Sequence, residues 1–245
     1  MNVWKMSLLV WVSFVLPAFA ERNLIAVATN FSQAATQLAS QFENESGRKV
    51  ELVFGSTGKL YAQIVRGAPF DAFLAADSER PLLLFKNGLG ASPFPFALGQ
   101  LVWWAPKGVF AEPDPQSDKF SRIAIANPDL APYGLAAKES LMAAGDWERV
   151  QNKLVMGENI GQTFAMIHSG NADIGLVALS YALSNRNTRS KEVFPARGYA
   201  PIAQHAILLT TRPQNDTASE FLAYIKTKEA QEIIVSFGYE SPFND

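Results

Sequence analysis

The chain of 245 residues has 0 cysteines, which excludes a disulfide framework and leaves no cysteine to carry a lipid behind a leader. It has 2 histidines, His168 and His205. Neither has Asp, Glu or Cys at ligand spacing, so no direct cation site is expected and both read as structural. A surplus of one charge is also missing: 21 Lys and Arg stand against 23 Asp and Glu, a formal net charge of −2. That balance points to no nucleic acid and no anionic membrane as partner. No stretch reaches the roughly 20 apolar residues that cross a bilayer, so no membrane insertion is expected. A chain of this length, enough for one large domain or two lobes, can be stabilised by burial alone.

What is present begins with an export signal. Lys5 precedes an apolar run from Ser7 to Leu16, Pro17 breaks it, and Ala18-Phe19-Ala20 supplies an A-x-A cleavage site. Residues 1–20 are expected to be removed, and the mature chain to start at Glu21 as a soluble protein of the periplasm. A buried N-terminal helix is the competing reading, and the position of the A-x-A triplet favours the signal.

Short apolar runs then alternate with helical spacing. Strands are expected at Leu24–Ala28, Val50–Phe54 and Asp71–Ala75, with helices from Phe31 to Glu45, Lys59 to Val65 and Glu79 to Lys86. After Gly99 comes a strand at Leu101–Trp104 and a proline-rich passage through Pro106, Pro113 and Pro115. A second series follows: strand Arg122–Ala126, helices Gly134–Ala144 and Gly161–Ser169, and strand Ile174–Val177. A strand at His205–Thr210 and a helical stretch Ala218–Phe237 close the chain. This alternation predicts α/β architecture with mostly parallel sheets. The late return segment predicts two lobes, the first (21–102 and 206–245) completed by the C-terminal helix around the second (103–205), with a ligand cleft between them.

Four loops share one character, each opening a helix: Thr29-Asn30, Gly55-Ser56-Thr57-Gly58, Ala131-Pro132-Tyr133-Gly134 and Asn159-Ile160-Gly161. The first N–H groups of a helix lack intrahelical partners and sit at its positive end, so they bind an anion without formal charge. Hydroxyls add donors, and glycine lets backbone approach. Taken singly, each loop reads as an ordinary N-cap. Taken together, two in each expected lobe and at the ends of parallel strands, they suggest one shared anion site. Gly55–Lys59 is not a phosphate-binding P-loop, because Val53 stands where the first glycine belongs and Leu60 where Ser or Thr belongs.

These loops carry a resemblance. Ala26–Ala35 (AVATNFSQAA), Phe54–Ile64 (FGSTGKLYAQI), Gly67–Asp77 (GAPFDAFLAAD), Asn127–Leu141 (NPDLAPYGLAAKESL), Asn159–Gln162 (NIGQ), Asp173–Val177 (DIGLV) and Lys228–Gly238 closely resemble the periplasmic molybdate-binding proteins of ABC importers. The likeness spans nearly all of the mature chain and keeps the motif order. It implies a type II periplasmic-binding-protein fold, no enzymatic activity, no cofactor, and molybdate or tungstate as ligand. It further implies delivery to an ABC transporter permease by a protein expected to be a monomer. Carried over by position, the first-loop donors fall on Thr29 and Asn30, and the second-loop hydroxyl on Ser56 or Thr57, with the alignment from Gln63 favouring Thr57. The remaining ligands fall on Tyr133 and the backbone N–H of Ile160. Some members have a tyrosine where this chain has Ala178; Tyr133 suggests that the phenol has moved across the site.

Molybdate and tungstate are fully deprotonated tetrahedral dianions near neutral pH, so a site made only of donors can satisfy every oxygen. Phosphate usually retains a proton there, which would face a donor and leave an unmade bond worth roughly 1–3 kcal/mol. Sulfate must be rejected by cavity size. Another oxyanion such as sulfate, or a chelated metal, is the alternative within the binding class. An enzyme on the same scaffold, or a secreted factor acting on a partner, is the alternative outside it. Asp71 and Asp77 lie at opposite ends of a strand rising roughly 3.3 Å per residue, too far apart for a catalytic dyad, and read as cap and turn residues. No G-x-S-x-G elbow pairs with a histidine. Tyr61, Phe73, Trp103 and Trp104 read as core or hinge packing.

Overall fold

A computed structural model describes residues 23–106, 111, 113–184, 193–211 and 216–243. The expected export signal, residues 1–20, lies outside them. The first series runs β1 (Leu24–Ala28), a 3-10 turn (Thr29–Phe31), α1 (Ser32–Ser46), β2 (Glu51–Gly55), α2 (Thr57–Val65), β3 (Ala72–Ala75), α3 (Glu79–Lys86) and β4 (Phe94–Gly99). The second runs β5 (Leu101–Trp104), β6 (Ile123–Ala126), α4 (Pro132–Ala143), β7 (Leu154–Gly157), α5 (Ile160–His168), β8 (Ile174–Ala178), α6 (Leu179–Ser184) and β9 (Phe194–Pro195). The chain returns through β10 (Ile202–Leu208) into α7 (Asp216–Ile225) and α8 (Lys228–Ser236).

Two five-stranded sheets result, ordered β2-β1-β3-β10-β4 and β7-β6-β8-β5-β9. In each, the first three strands are parallel, and the fourth, β10 or β5, runs antiparallel to its neighbours. Helices cover both faces, which is why β3, β6 and β8 are apolar throughout and show no polar alternation. The pleat still sorts them. Ile25, Val27 and Leu74 pack with Phe31, Leu38, Phe42 and Phe221, while Ala26 and Phe73 pack with Leu60, Ile64 and Leu84 on the other face. In the second sheet Ile123, Ile125 and Leu176 meet Tyr133, Ala137 and Leu141 of α4, and Ala124, Val177 and Trp104 meet Ile167 and Phe164 of α5. The aromatic residues Phe73, Trp103 and Trp104 are buried in these cores, with Tyr61 packed at the edge of one.

The chain passes between the two sheets twice. Leu101 and Val102 pair with β8 in the second sheet, so Gln100 alone joins β4 to β5. Ile202–His205 pair with β4 in the first sheet, so the return falls before Ile202. A strand is held by its whole ladder of hydrogen bonds, and a lobe boundary cannot cut through one. Four elements, β4, β7, β9 and α6, were not expected from the sequence. The C-terminal helical stretch is two helices, separated where Thr227 caps α8 by accepting from the Ala230 N–H.

Candidate functional site

The carboxyl ends of the parallel strands in the two sheets face each other, as ligand-binding edges of α/β sheets do. β1 delivers Thr29 and Asn30, β2 delivers Ser56 and Thr57, the loop after β6 delivers Tyr133, and the loop after β7 delivers Ile160. All six residues line one small, tightly closed cavity, together with Ala28, Ala76, Ala131 and Pro132. The lobes touch around it. Gly58 N–H donates to the Leu130 carbonyl (2.9 Å), Ser180 Oγ to the Asn30 carbonyl (3.0 Å), and Tyr181 Oη to the Thr29 carbonyl (3.0 Å). Lys59 and Glu158 form an ion pair across the same seam (2.5 Å).

The six side chains differ in what they still offer. Ser56 precedes α2 at the N-cap position, yet its hydroxyl makes no cap bond. It is buried and has no hydrogen-bond partner. Thr57, which the alignment favoured, has its Oγ1 engaged by the Ala76 N–H at 3.3 Å. Asn30 Nδ2 donates to Gln204 Oε1 (2.7 Å) and to Tyr239 Oη (3.3 Å), so its amide protons are committed inside the protein. Its backbone N–H lies in the first turn of the 3-10 helix Thr29–Phe31. No side-chain bond is recorded for Thr29 among the described residues. Tyr133 is 1 % exposed, and its hydroxyl, like that of Ser56, has no partner. Ile160 opens α5, whose cap is the Asn159 side chain accepting from Gln162 N–H (3.0 Å). The cap reading thus holds at Asn159 and fails at Ser56.

The electrostatics suit an acceptor. Among the described residues, no Lys, Arg, Asp or Glu lines the cavity. α2, α4 and α5 all start there, so unpaired N–H groups and positive helix ends converge on it. Burial pushes the Tyr133 phenol well above its usual titration range, helped by the nearby Tyr239 and Tyr199; the Asn30 amide opposes this without a hydrogen bond of normal geometry. Tyr133 is therefore a neutral donor at physiological pH. Tyr239 is raised likewise by burial, and it donates to the Asn30 carbonyl at 2.6 Å.

The residues set aside from the sequence lie elsewhere. His168 stacks on Trp104 and Phe164, with ring centroids 6.4 and 5.7 Å away, and His205 sits in β10 with Nδ1 3.4 Å from the Ala203 carbonyl. Asp71 Oδ2 accepts from Leu24 N–H (2.7 Å), tying two strand starts together. Asp77 accepts from the Arg80 backbone N–H (3.0 Å) and pairs with its guanidinium at the start of α3. Burial raises its carboxyl, opposed by Arg80. Sequence reasoning missed Gln204 and Tyr239, which hold Asn30 from positions too remote in the chain for any spacing rule to connect.

Two α/β lobes that close hydroxyls and helix N-termini on a cavity with no acid, base or cation in its lining define a type II periplasmic binding protein. The comparisons with known proteins agree. The molybdate-binding protein ModA of Rhodobacter capsulatus is 38% identical over 233 residues, covering 91% of this chain and 90% of the relative. ModA of Azotobacter vinelandii is 39% identical over 222 residues, 88% of each. The structure of an Azotobacter vinelandii periplasmic molybdate-binding protein superposes with a TM-score of 0.82 at 32% identity, covering 91% of this chain and 100% of the other. The chain belongs to the bacterial extracellular solute-binding proteins, whose family profile matches residues 24–240. Its relatives bind solutes rather than transform them, and it is not an enzyme.

Proposed function

We propose that this protein captures molybdate, or the near-isosteric tungstate, in the periplasm and presents it as a monomer to an ABC permease. In this reading the first lobe comprises β1–β4 with β10, α7 and α8, and the second comprises β5–β9. The anion sits between Thr29, Asn30, Ser56 and Thr57 on one side and Tyr133 and the Ile160 N–H on the other. The observation that carries the reading is that the Ser56 and Tyr133 hydroxyls are both buried and unpartnered and line the same cavity. A buried donor without a partner costs about 1–3 kcal/mol, a cost that an acceptor-only dianion removes from both at once.

The geometry also refines the donor list. Ser56 is the unpartnered hydroxyl of the second loop, and Thr57, whose oxygen accepts from the Ala76 N–H, keeps its proton for a ligand but is held in place by that bond. Asn30 contributes through its backbone, its side chain being occupied. The names of the relatives support molybdate over other oxyanions. A five-atom ligand reaches tight binding only through charge-assisted hydrogen bonds in a dry, preorganised site. The test is calorimetric titration and thermal shift with molybdate, tungstate, sulfate and phosphate. Molybdate and tungstate are expected to raise the melting temperature at micromolar concentration, with sulfate and phosphate far weaker. Strong sulfate binding without molybdate binding overturns the ligand while leaving the class.

A further inference from the structure

Tyr133 belongs to the second lobe, but its hydroxyl ends against the first. A Cβ added at Gly99, the last residue of β4, would lie 2.1 Å from Tyr133 Oη, 2.9 Å from its Cζ and 3.0 Å from Gln204 Nε2. Gln204 is fully buried in β10. Its Oε1 accepts from Asn30 Nδ2, while its Nε2 has no hydrogen-bond partner. The register between β10 and β4 shifts between Gln204 and His205, and such a bulge re-aims side chains beside it. We propose that Gly99 and Gln204 are positioning residues for anion capture: they form a seat in the first lobe that receives the Tyr133 phenol and turns its proton toward the cavity.

Two properties of the seat, one steric and one directional, support this role, and both rest on the proposed function. Gly99 has no positive φ, so glycine is not required there by its backbone. What it provides is room, since any side chain would occupy the place of the phenol oxygen. The atoms nearest an added Cβ are the phenol's own Oη and Cζ, ahead of the Gln204 amide, so the phenol must move, and it would leave both the seat and the cavity. Direction comes from the neighbours. Two amides beside the phenol present N–H, the unpartnered Gln204 Nε2 and Asn30 Nδ2, which is committed to Gln204 and Tyr239; the nearby Tyr239 hydroxyl is itself engaged with Asn30. The phenol makes no hydrogen bond inside the protein, so its proton is left to find an acceptor. Tyr133 also lines the anion cavity, so an oxyanion there supplies that acceptor. Tyr133 is one of several places where the lobes meet, and it has the cavity on its flank, which makes seating the phenol and holding the anion parts of the same event.

The experiment is a double-mutant cycle read by calorimetric titration with molybdate, on wild type, Gly99→Ala, Tyr133→Leu and the pair. Leucine keeps an apolar side chain in the α4 core but does not reach the seat. Gly99→Ala is expected to weaken binding about tenfold or more, as loss of one hydrogen bond to a charged group would. In the Tyr133→Leu background the same change should cost less than about twofold, because the side chain it displaces is gone. A Gly99→Ala protein that binds like wild type overturns the proposal, as do losses that multiply in the pair. If Gly99→Ala alone does not fold, Tyr133→Leu is expected to restore a cooperative melt, and a pair that stays unfolded overturns it too. A wild-type chain that takes up neither molybdate nor tungstate removes the function instead. The seat is then judged by melting temperature: Gly99→Ala must lower it with Tyr133 present and leave it unchanged in the Tyr133→Leu background.

Discussion

In the first lobe the antiparallel strand β10 arrives from the end of the chain, whereas in the second β5 arrives from its beginning, and both sheets otherwise follow one plan. The antiparallel strand of each lobe is therefore formed by chain that has just left the other. The same plan places strand ends, and the helices that follow them, on both sides of the cleft. What those ends present is not the same. The first lobe offers hydroxyls, of which Ser56 is free and Thr57 is engaged. The second offers one phenol and the start of α5, already capped by Asn159. Topology sets where donors collect, and local bonding decides which remain available to a ligand.

The comparison can be pressed first through stability. Phe31 stacks edge-on against Phe96 and Tyr239 in the first lobe, and Trp104 is buried against Phe164 in the second. Phe31→Ala and Trp104→Ala are each expected to cost about 3–5 kcal/mol in denaturant unfolding. If the exchanged strands tie the lobes together, each variant will show a single transition; separate transitions would mean that the lobes unfold on their own. Next come the free donors, one from each side. Ser56→Ala and Tyr133→Phe should each weaken molybdate binding by about 1.5–3 kcal/mol in calorimetry, with Thr57→Ala weakening it less. Equal losses at Ser56 and Thr57 would erase the distinction drawn between them.

The Lys59–Glu158 pair crosses the seam between two half-exposed side chains. Lys59→Ala should change affinity by less than about 1 kcal/mol, and any change should vanish in high salt. The smallest expected effect is that of mild alkali. Tyr133 titrates far above the usual phenol range, so its donor is intact, and molybdate affinity should stay level from about pH 7 to pH 9. Above the unfolded phenol value near 10, the unfolded chain ionises while the folded one resists. The stability contributed by keeping this phenol neutral is then lost progressively as pH rises. An affinity that falls between pH 7 and 9 would point to a donor other than Tyr133.

The buried strands were legible because apolar runs such as Leu24–Ala28 and Ile174–Val177 have little other use. β4 was not, since Pro95 sits inside Phe94–Gly99 and proline argues against a strand unless it lies at an edge. This strand is at the edge of its sheet. β7 is also an edge strand, only partly buried along most of its length, and LVMG carries no periodic signal. The sequence singled out the loops as candidates, and the six residues it named line one cavity. It did not indicate which hydroxyl already accepts a bond or which amide is committed. That depends on Ala76 and Gln204, which stand 19 and 174 residues from their partners Thr57 and Asn30. Gly99 escaped notice for the same reason: its neighbour Tyr133 approaches from the other lobe.

A cavity lined by N–H and O–H dipoles, with no lysine or arginine in its wall, has a consequence for letting go. The pull of a helix terminus fades within about one turn, whereas a whole charge acts across a Debye length of roughly 8 Å in physiological salt. Such a grip exists only while both halves are shut. Once they are prised apart, water can replace each donor in turn, and no competing ion is needed to displace the cargo. The choice of donors thus makes unloading a mechanical act.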